Sequence, residues 1–321
     1  CSSFVTSRGY PKQPASDDEF RFPIAYSLVV YKDFEQFEML LRAVYQPQNI
    51  YCIHVDRKAQ RQFQDKVGKL IKCFPNVYLT SKSYHVIWGR MGVIEADLIC
   101  MRDLLIRHKT WKYFINLTGQ EFPLKTNWEI VQQLKTSNNK SLVHALSAQE
   151  SNKKWAHRVN TSYAFDDTGL FTPNGSKEPM PHNMTYHKGR LHVILTRAFV
   201  DYAINSPVAQ DLLHWLNDTL IPDETFFPTL YCNRHLKIPG NEHADCSAAN
   251  HQIVRLKIFN GGEYPCDGGK WVRKICIFGV GDLAFMYERG VKGPSLFVNK
   301  LMSGFQPLAL QCMNKLHLER T

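Results

Sequence analysis

Ile221-Pro222-Asp223-Glu224 places two carboxylates at the expected start of a helix, and Arg273 and Lys300 follow far downstream. One carboxylate that takes a proton and two cations that hold a departing phosphate are the minimum for metal-free transfer from a nucleotide-sugar. Proline suits a first helical position and acids suit a helix N-terminus, so capping is the plainer role for the same acids. Many enzymes that transfer from nucleotide-sugars hold a metal through Asp-x-Asp, and no Asp-x-Asp occurs in this chain.

The elements that must position these groups read as strand and helix in alternation. Residues 23–31 form a continuous apolar run, the pattern of a buried strand. A helix is expected from about Phe34 to Tyr45, with Phe37, Leu40, Leu41 and Val44 on one face. A second strand over 49–56 ends in Asp56. A helix over about 59–72 leads to a short strand at Val77-Tyr78-Leu79, then an amphipathic helix over 92–108 and a strand over 111–117. This predicts an α/β domain with a mainly parallel sheet. Ligands then sit beyond the carboxyl ends of the strands, where Asp56 and the run from Asn116 to Glu121 fall.

Residues 136–190 are rich in Ser, Asn, Lys, Gly and Pro and read as solvent-facing loops, with hairpin strands at most. Order resumes with a strand at 191–195 and helices over about 197–204 and 208–218. Another helix is expected from Pro222 or Asp223, and strands over 253–259 and 275–278. Residues 1–22 read as an extended lead-in and 23–321 as one catalytic domain. Its nucleotide half spans about 23–135 and its acceptor half about 136–321.

The chain has 321 residues, a formal net charge of +10 and a pI of about 9.1. That balance favours acidic partners such as a nucleotide diphosphate or an acidic glycan. No run of five Lys/Arg, glycine-aromatic RNA signature or zinc finger occurs, which argues against nucleic acid. Nine cysteines include no Cys-x-x-Cys pair, so structural zinc is disfavoured. Six Asn-x-Ser/Thr sequons start at Asn116, Asn139, Asn160, Asn174, Asn183 and Asn217. Sequons and cysteines together point to the secretory route, an oxidising lumen and disulfides. No apolar run is long enough to span a bilayer. The expectation is a lumenal portion whose anchor lies upstream.

Several stretches together resemble the animal β-1,6-N-acetylglucosaminyltransferases of the core 2 and I-branching type, in glycosyltransferase family 14. They are Phe22-Pro23-Ile24-Ala25-Tyr26, residues 41–49, Tyr51-Cys52-Ile53-His54-Val55-Asp56, Glu95-Ala96-Asp97-Leu98, Trp111-Lys112-Tyr113 and residues 119–127. Pro222-Asp223-Glu224, Cys266-Asp267-Gly268, residues 275–283 and Leu296-Phe297-Val298-Asn299-Lys300 complete the set, in the family's order. The middle segment, 136–190, matches poorly.

The resemblance implies a GT-A-like fold, a UDP-N-acetylglucosamine donor, inversion at the anomeric carbon, Golgi residence as a type II membrane protein and no divalent metal or other cofactor. It implies Glu224 as general base, with Arg273 and Lys300 at the diphosphate. Val29, Val30, Tyr31 and Asp56 fall on the uridine side. Trp88 takes the place of an aromatic donor contact, usually Tyr, although a core role suits it equally. The implied disulfides are Cys1–Cys73, Cys52–Cys100 and Cys266–Cys276. Cys312 matches a cysteine whose partner precedes this chain. Cys232 and Cys246 pair with each other, or one of them bonds Cys312. Asn139, Asn160, Asn174, Asn183 and Asn217 are candidate glycan sites. Asn116, at a strand end facing the site, is expected to be buried and bare.

The departures lie on the acceptor side. Positions that hold the acceptor in core 2 enzymes with Glu, Lys and Arg read Val143, Ser151 and Lys154 here. An aromatic pair becomes Leu256 and Ile258, and a Gly-Ser-Ala becomes Gly189-Arg190-Leu191. A different acceptor fits these changes, and Arg190 suits an acidic glycan. Weakened or lost catalysis, leaving a UDP- or glycan-binding protein, and a UDP-xylose donor on the same fold are the alternatives.

Overall fold

The apolar run near the N-terminus becomes β1 (Ile24–Val30), buried on both faces as a central parallel strand must be. The computed structural model describes residues 1–166, 170–241, 244, 246 and 254–321. β2 (Ile50–Val55) and β4 (Tyr113–Thr118) flank β1 in parallel, and β3 (Val77–Leu79) pairs in parallel with β2. β9 (Gly189–Thr196) runs antiparallel to β4, and β6 (Leu142–Ala145) antiparallel to β9. The order β3-β2-β1-β4-β9-β6 is a mixed, mainly parallel sheet flanked by helices, as expected of a GT-A-like transferase.

Alternation along the strands builds two cores. Tyr113, Ile115 and Leu117 of β4 face one side with Phe37, Leu40 and Leu41 of the helix Phe34–Val44. Phe114 faces the other side, with Ile94, Met101 and Leu104 of the helix Gly92–Arg107. Most helices fall within a few residues of their sequence expectation because their apolar stripes are continuous.

A smaller sheet closes the carboxyl end of the large one. β5 (Glu121–Pro123) pairs antiparallel with β13 (Phe297–Asn299), which pairs in parallel with β10 (Arg255–Leu256). Beside it, β11 (Lys270–Val272) and β12 (Ile275–Ile277) form a hairpin. The two sheets meet at Glu121, whose side chain is fully buried. Its Oε1 accepts from Arg255 Nε at 2.8 Å and Asn299 Nδ2 at 3.0 Å, and lies 2.9 Å from His192 Nε2 on β9. Its Oε2 accepts from the Thr118 backbone at 2.9 Å.

Several expectations need correcting. Residues 1–22 are not extended. They hold the short helices Ser2–Ser7 and Asp17–Phe20, and Tyr10 is buried against Tyr45 and Phe74, because an aromatic that finds a pocket overrides a polar surrounding. The 136–190 segment is partly regular, with the helix Ala148–Trp155 closed by a Ser147–Glu150 capping box. Its hairpin of β7 (Thr161–Phe165) and β8 (Phe171–Ser176) keeps β8 exposed throughout. No helix begins at Pro222. Residues Pro222–Glu224 form a single 3-10 turn, and the helix starts at Phe226, after Ile221 has taken a left-handed φ of 56°. The strand expected over 253–259 is Arg255–Leu256, with residue 253 outside the described residues.

Cys1–Cys73 and Cys266–Cys276 are bonded, and Cys232 pairs with Cys246. The pairing of Cys52 with Cys100 does not form. Both are buried free thiols, and Cys100 Sγ lies 3.3 Å from the Cys52 carbonyl. Cys312 is a free, exposed thiol. Asn139, Asn160, Asn174, Asn183 and Asn217 are exposed. Asn116 is buried, and its amide donates to Asp97 Oδ2 at 2.7 Å. Among the described residues no helix is long and apolar enough to cross a membrane.

Removing the Glu121 carboxylate leaves Arg255, itself 1% exposed, without its counter-ion. Glu121→Ala is expected to lower stability by about 3–5 kcal/mol, read from urea denaturation at neutral pH.

Candidate functional site

Beyond the carboxyl ends of β1, β2 and β4 lies a trough lined by residues from both halves of the chain. At one end β1 leads from Val29 and the buried Val30 into the exposed Tyr31. The Asp56 backbone N–H donates to the Val30 carbonyl at 2.9 Å. The Asp56 carboxylate accepts from the backbone of Lys58 at 3.0 Å and of Val86 at 3.3 Å, and pairs with the Lys58 ammonium. That ammonium lies 5.1 Å from the centre of the Tyr31 ring. Asp56 thereby fixes the loop that carries Trp88.

Trp88 is not a core aromatic. It is 49% exposed, and the Arg273 guanidinium lies 5.1 Å from its ring centre. Arg273 occupies the tight turn between β11 and β12, where it and Lys274 take φ of 50° and 63°. The Cys266–Cys276 bond braces this hairpin. Lys300 follows β13, and its carbonyl accepts from the Phe278 backbone at 2.9 Å, just past β12. Burial, then the charge of Arg273, lowers the Lys300 pKa. Two like charges held within reach of each other form a natural seat for an anion.

The carboxylate end adjoins this seat. Gly89, next to Trp88, accepts from the Ile221 backbone at 3.0 Å, which ties the Trp88 loop to the turn bearing Asp223 and Glu224. The Glu224 carboxylate is partly exposed and accepts from Arg158 Nη1 at 2.7 Å, with Lys188 Nζ at 3.5 Å. Asp223 is buried, and its Oδ1 has no partner. Burial, then the charge of Glu224, pushes its pKa up to about 7.

Three further cations bridge the two ends. Lys188 and Arg190 bracket Gly189, where any side chain would strike the His144 carbonyl at 1.9 Å. Burial lowers the Arg190 pKa to about 10 against the pull of Glu224. The Arg190 guanidinium lies 4.9 Å from the centre of the Phe259 ring. Lys257, half-buried, has Nζ 3.1 Å from His192 Nδ1. Burial and the charges of Arg190, Arg255 and Lys300 depress its pKa strongly, and Glu121 opposes them. His192 is pushed down to about 3 by burial against the pull of Glu121, so its ring is neutral.

The residues expected on the acceptor side are mostly packing residues. Leu256 and Ile258 are each 1% exposed in the core of the small sheet. Val143 pairs with Val193 in β6 and packs on the main core. Ser151 is buried, and its hydroxyl accepts from the Lys188 backbone at 2.9 Å. Lys154 is exposed beside the Trp155 ring, 5.9 Å from its centre. Arg158, Lys188, Lys257, Trp155 and Phe259 went unnoticed in the sequence. Phe259 carried a signal, being the aromatic one residue past the altered pair. Arg158 carried none.

A cavity of about 730 Å³ lies at the opposite, amino end of β4, lined by residues that include Lys109, Lys112, Lys140 and Arg197. None of its lining residues is a carboxylate.

The family model for the Core-2/I-Branching enzyme matches residues 24–286. The chain belongs to this family and is a glycosyltransferase. It is 39% identical to the N-acetyllactosaminide β-1,6-N-acetylglucosaminyl-transferase of Mus musculus, over 100% of this chain and 79% of that protein. The Homo sapiens protein of that name is 38% identical, over 100% and 78%. The Homo sapiens β-1,3-galactosyl-O-glycosyl-glycoprotein β-1,6-N-acetylglucosaminyltransferase 3 is 37% identical, over 98% and 72%. Among solved structures, a mannosyltransferase of Pyrobaculum calidifontis is similar at a TM-score of 0.33 and 11% identity, over 67% of this chain and 57% of that one.

Asp223 makes stability depend on pH. A carboxyl whose folded pKa of about 7 exceeds its ordinary 3.8 contributes stability that is complete below about pH 4 and is lost as pH rises through 7. Relative to Asp223→Asn, the wild-type protein is expected to lose up to about 4 kcal/mol across that window, read from urea midpoints between pH 4 and 8.

Proposed function

We propose that this chain transfers N-acetylglucosamine from UDP-N-acetylglucosamine to the 6-hydroxyl of a glycan, forming a β-1,6 branch with inversion and without a divalent metal. The observation that carries the reading is the placement of Arg273, Lys300 and Trp88 in one trough with the turn that bears Glu224. The names of the relatives supply the sugar and the linkage.

Glu224 takes the proton of the acceptor hydroxyl as its oxygen attacks the anomeric carbon. The bond from that carbon to the β-phosphate oxygen breaks, and UDP leaves with the electron pair. Arg273 and Lys300 meet the charge that develops on the phosphate, so no metal ion is needed. Trp88 and Tyr31 offer aromatic faces to the donor, with Val29, Val30 and Asp56 at its uridine end. The two cations repel each other before the diphosphate arrives and are relieved by it, which favours donor binding ahead of chemistry. Exposed sequons and disulfides support residence in the Golgi lumen, with an anchor outside this chain.

Glu224→Gln is expected to reduce transfer by about 10²- to 10⁴-fold while UDP affinity, measured by calorimetry, stays within about twofold. A Glu224→Gln protein that transfers at the wild-type rate removes the base assignment. Arg273→Ala and Lys300→Ala are each expected to weaken UDP binding about tenfold or more. Wild-type transfer is expected to persist in excess EDTA. Loss of activity there, restored by manganese, overturns the metal-free reading.

A further inference from the structure

The trough holds more positive charge than a donor diphosphate can use. Arg273 and Lys300 serve that diphosphate in the proposed reaction, which leaves Arg158 and Lys188 beside Glu224. The neighbouring Asp223 is raised to about 7 and contributes less than a full negative charge near neutral pH.

Glu224 is also not at liberty to act. Arg158 Nη1 donates to it at 2.7 Å, and the Arg158 side chain is only 11% exposed. The oxygen that would receive the acceptor's proton already accepts from a guanidinium that is itself largely buried. An anion that drew Arg158 away would free that oxygen of Glu224. Arg158 has a donor in reserve, since its Nε is buried and has no hydrogen-bond partner. Lys188 sits beside it, 3.5 Å from Glu224 and 5.0 Å from the centre of the partly exposed Trp155 ring. An aromatic face next to two cations suits a sugar ring that carries an acidic substituent.

We propose that the acceptor is an anionic glycan whose sugar ring rests on Trp155 and whose carboxylate or sulfate binds Arg158 and Lys188, drawing Arg158 off Glu224 and so releasing the base. The inference rests on the transfer reaction proposed above and names the substrate class of the same site. It also accounts for the altered acceptor side. The usual aromatic pair is lost to the core as Leu256 and Ile258, and Trp155 stands close to the base instead.

The test gives the intact protein UDP-N-acetylglucosamine and three matched acceptors: a neutral galactosyl-N-acetylglucosamine, its sialylated form and its sulfated form. The expected result is a kcat/KM about ten- to a hundredfold higher for an anionic form than for the neutral one. Preference for the sialylated form identifies a carboxylate, and preference for the sulfated form a sulfate ester. Arg158→Gln is expected to bring the anionic-to-neutral ratio close to one, with calorimetric UDP binding reporting that the variant is folded. Lys188→Met is expected to lower the same ratio, and it serves if Arg158→Gln does not fold. Equal use of neutral and anionic acceptors by the wild-type protein, or an undiminished ratio in a folded Arg158 or Lys188 variant, overturns this inference and leaves the transfer reaction standing. Loss of both UDP binding and transfer to every acceptor overturns the transfer reaction itself.

Discussion

A carboxylate shut away from water, Glu121, joins the two sheets of this protein and indirectly aims its cations. It binds Arg255 on β10, Asn299 on β13, His192 on β9 and the end of β4. Burial would raise its pKa, but the Arg255 guanidinium and the His192 contact more than reverse this and keep it ionised. Such a pair does not come free, because both charges are desolvated, and geometry with several hydrogen bonds is what offsets the cost. Three of the trough cations lie within two residues of its ligands. Lys300 follows Asn299, Lys257 is two residues past Arg255, and Arg190 is two residues before His192. Arg190 and His192 both lie on β9, where a two-residue step returns a side chain to the same face, so anchoring His192 also helps aim Arg190.

The trough is then a deliberate excess of positive charge. Lys188, Arg190, Lys257 and Lys300 all have lowered pKa values, with burial as the first cause in each. Keeping such groups together is unfavourable in the empty protein and becomes favourable when anions arrive. A donor diphosphate answers one end. At the other end the Glu224 carboxylate, the base in the proposed reaction, is held by Arg158.

Two local devices connect the ends. The Trp88 loop is pinned by Asp56 from below and by the Gly89–Ile221 hydrogen bond from the side. The hairpin that presents Arg273 is braced by a disulfide from Cys276 on β12 to Cys266, ahead of β11. Both devices act on loops, which without them would pay conformational entropy each time a ligand was bound.

The sequence by itself determined the strand–helix alternation, because apolar periodicity is local and β1 to β4 with their helices follow it closely. It also singled out Glu224, Arg273 and Lys300 as candidates, since their motifs carry the family resemblance. It did not reveal that Leu256 and Ile258 would be packing residues, that Cys52 and Cys100 would remain free thiols, or that Tyr10 would anchor the first residues. Arg158, Lys188 and Trp155 were invisible as site residues for the same reason. They lie in a segment without strong periodicity, and what recruits them is contact with a turn dozens of residues away. Which side chains share a desolvated hollow depends on packing between distant elements, and only the tertiary structure decides that.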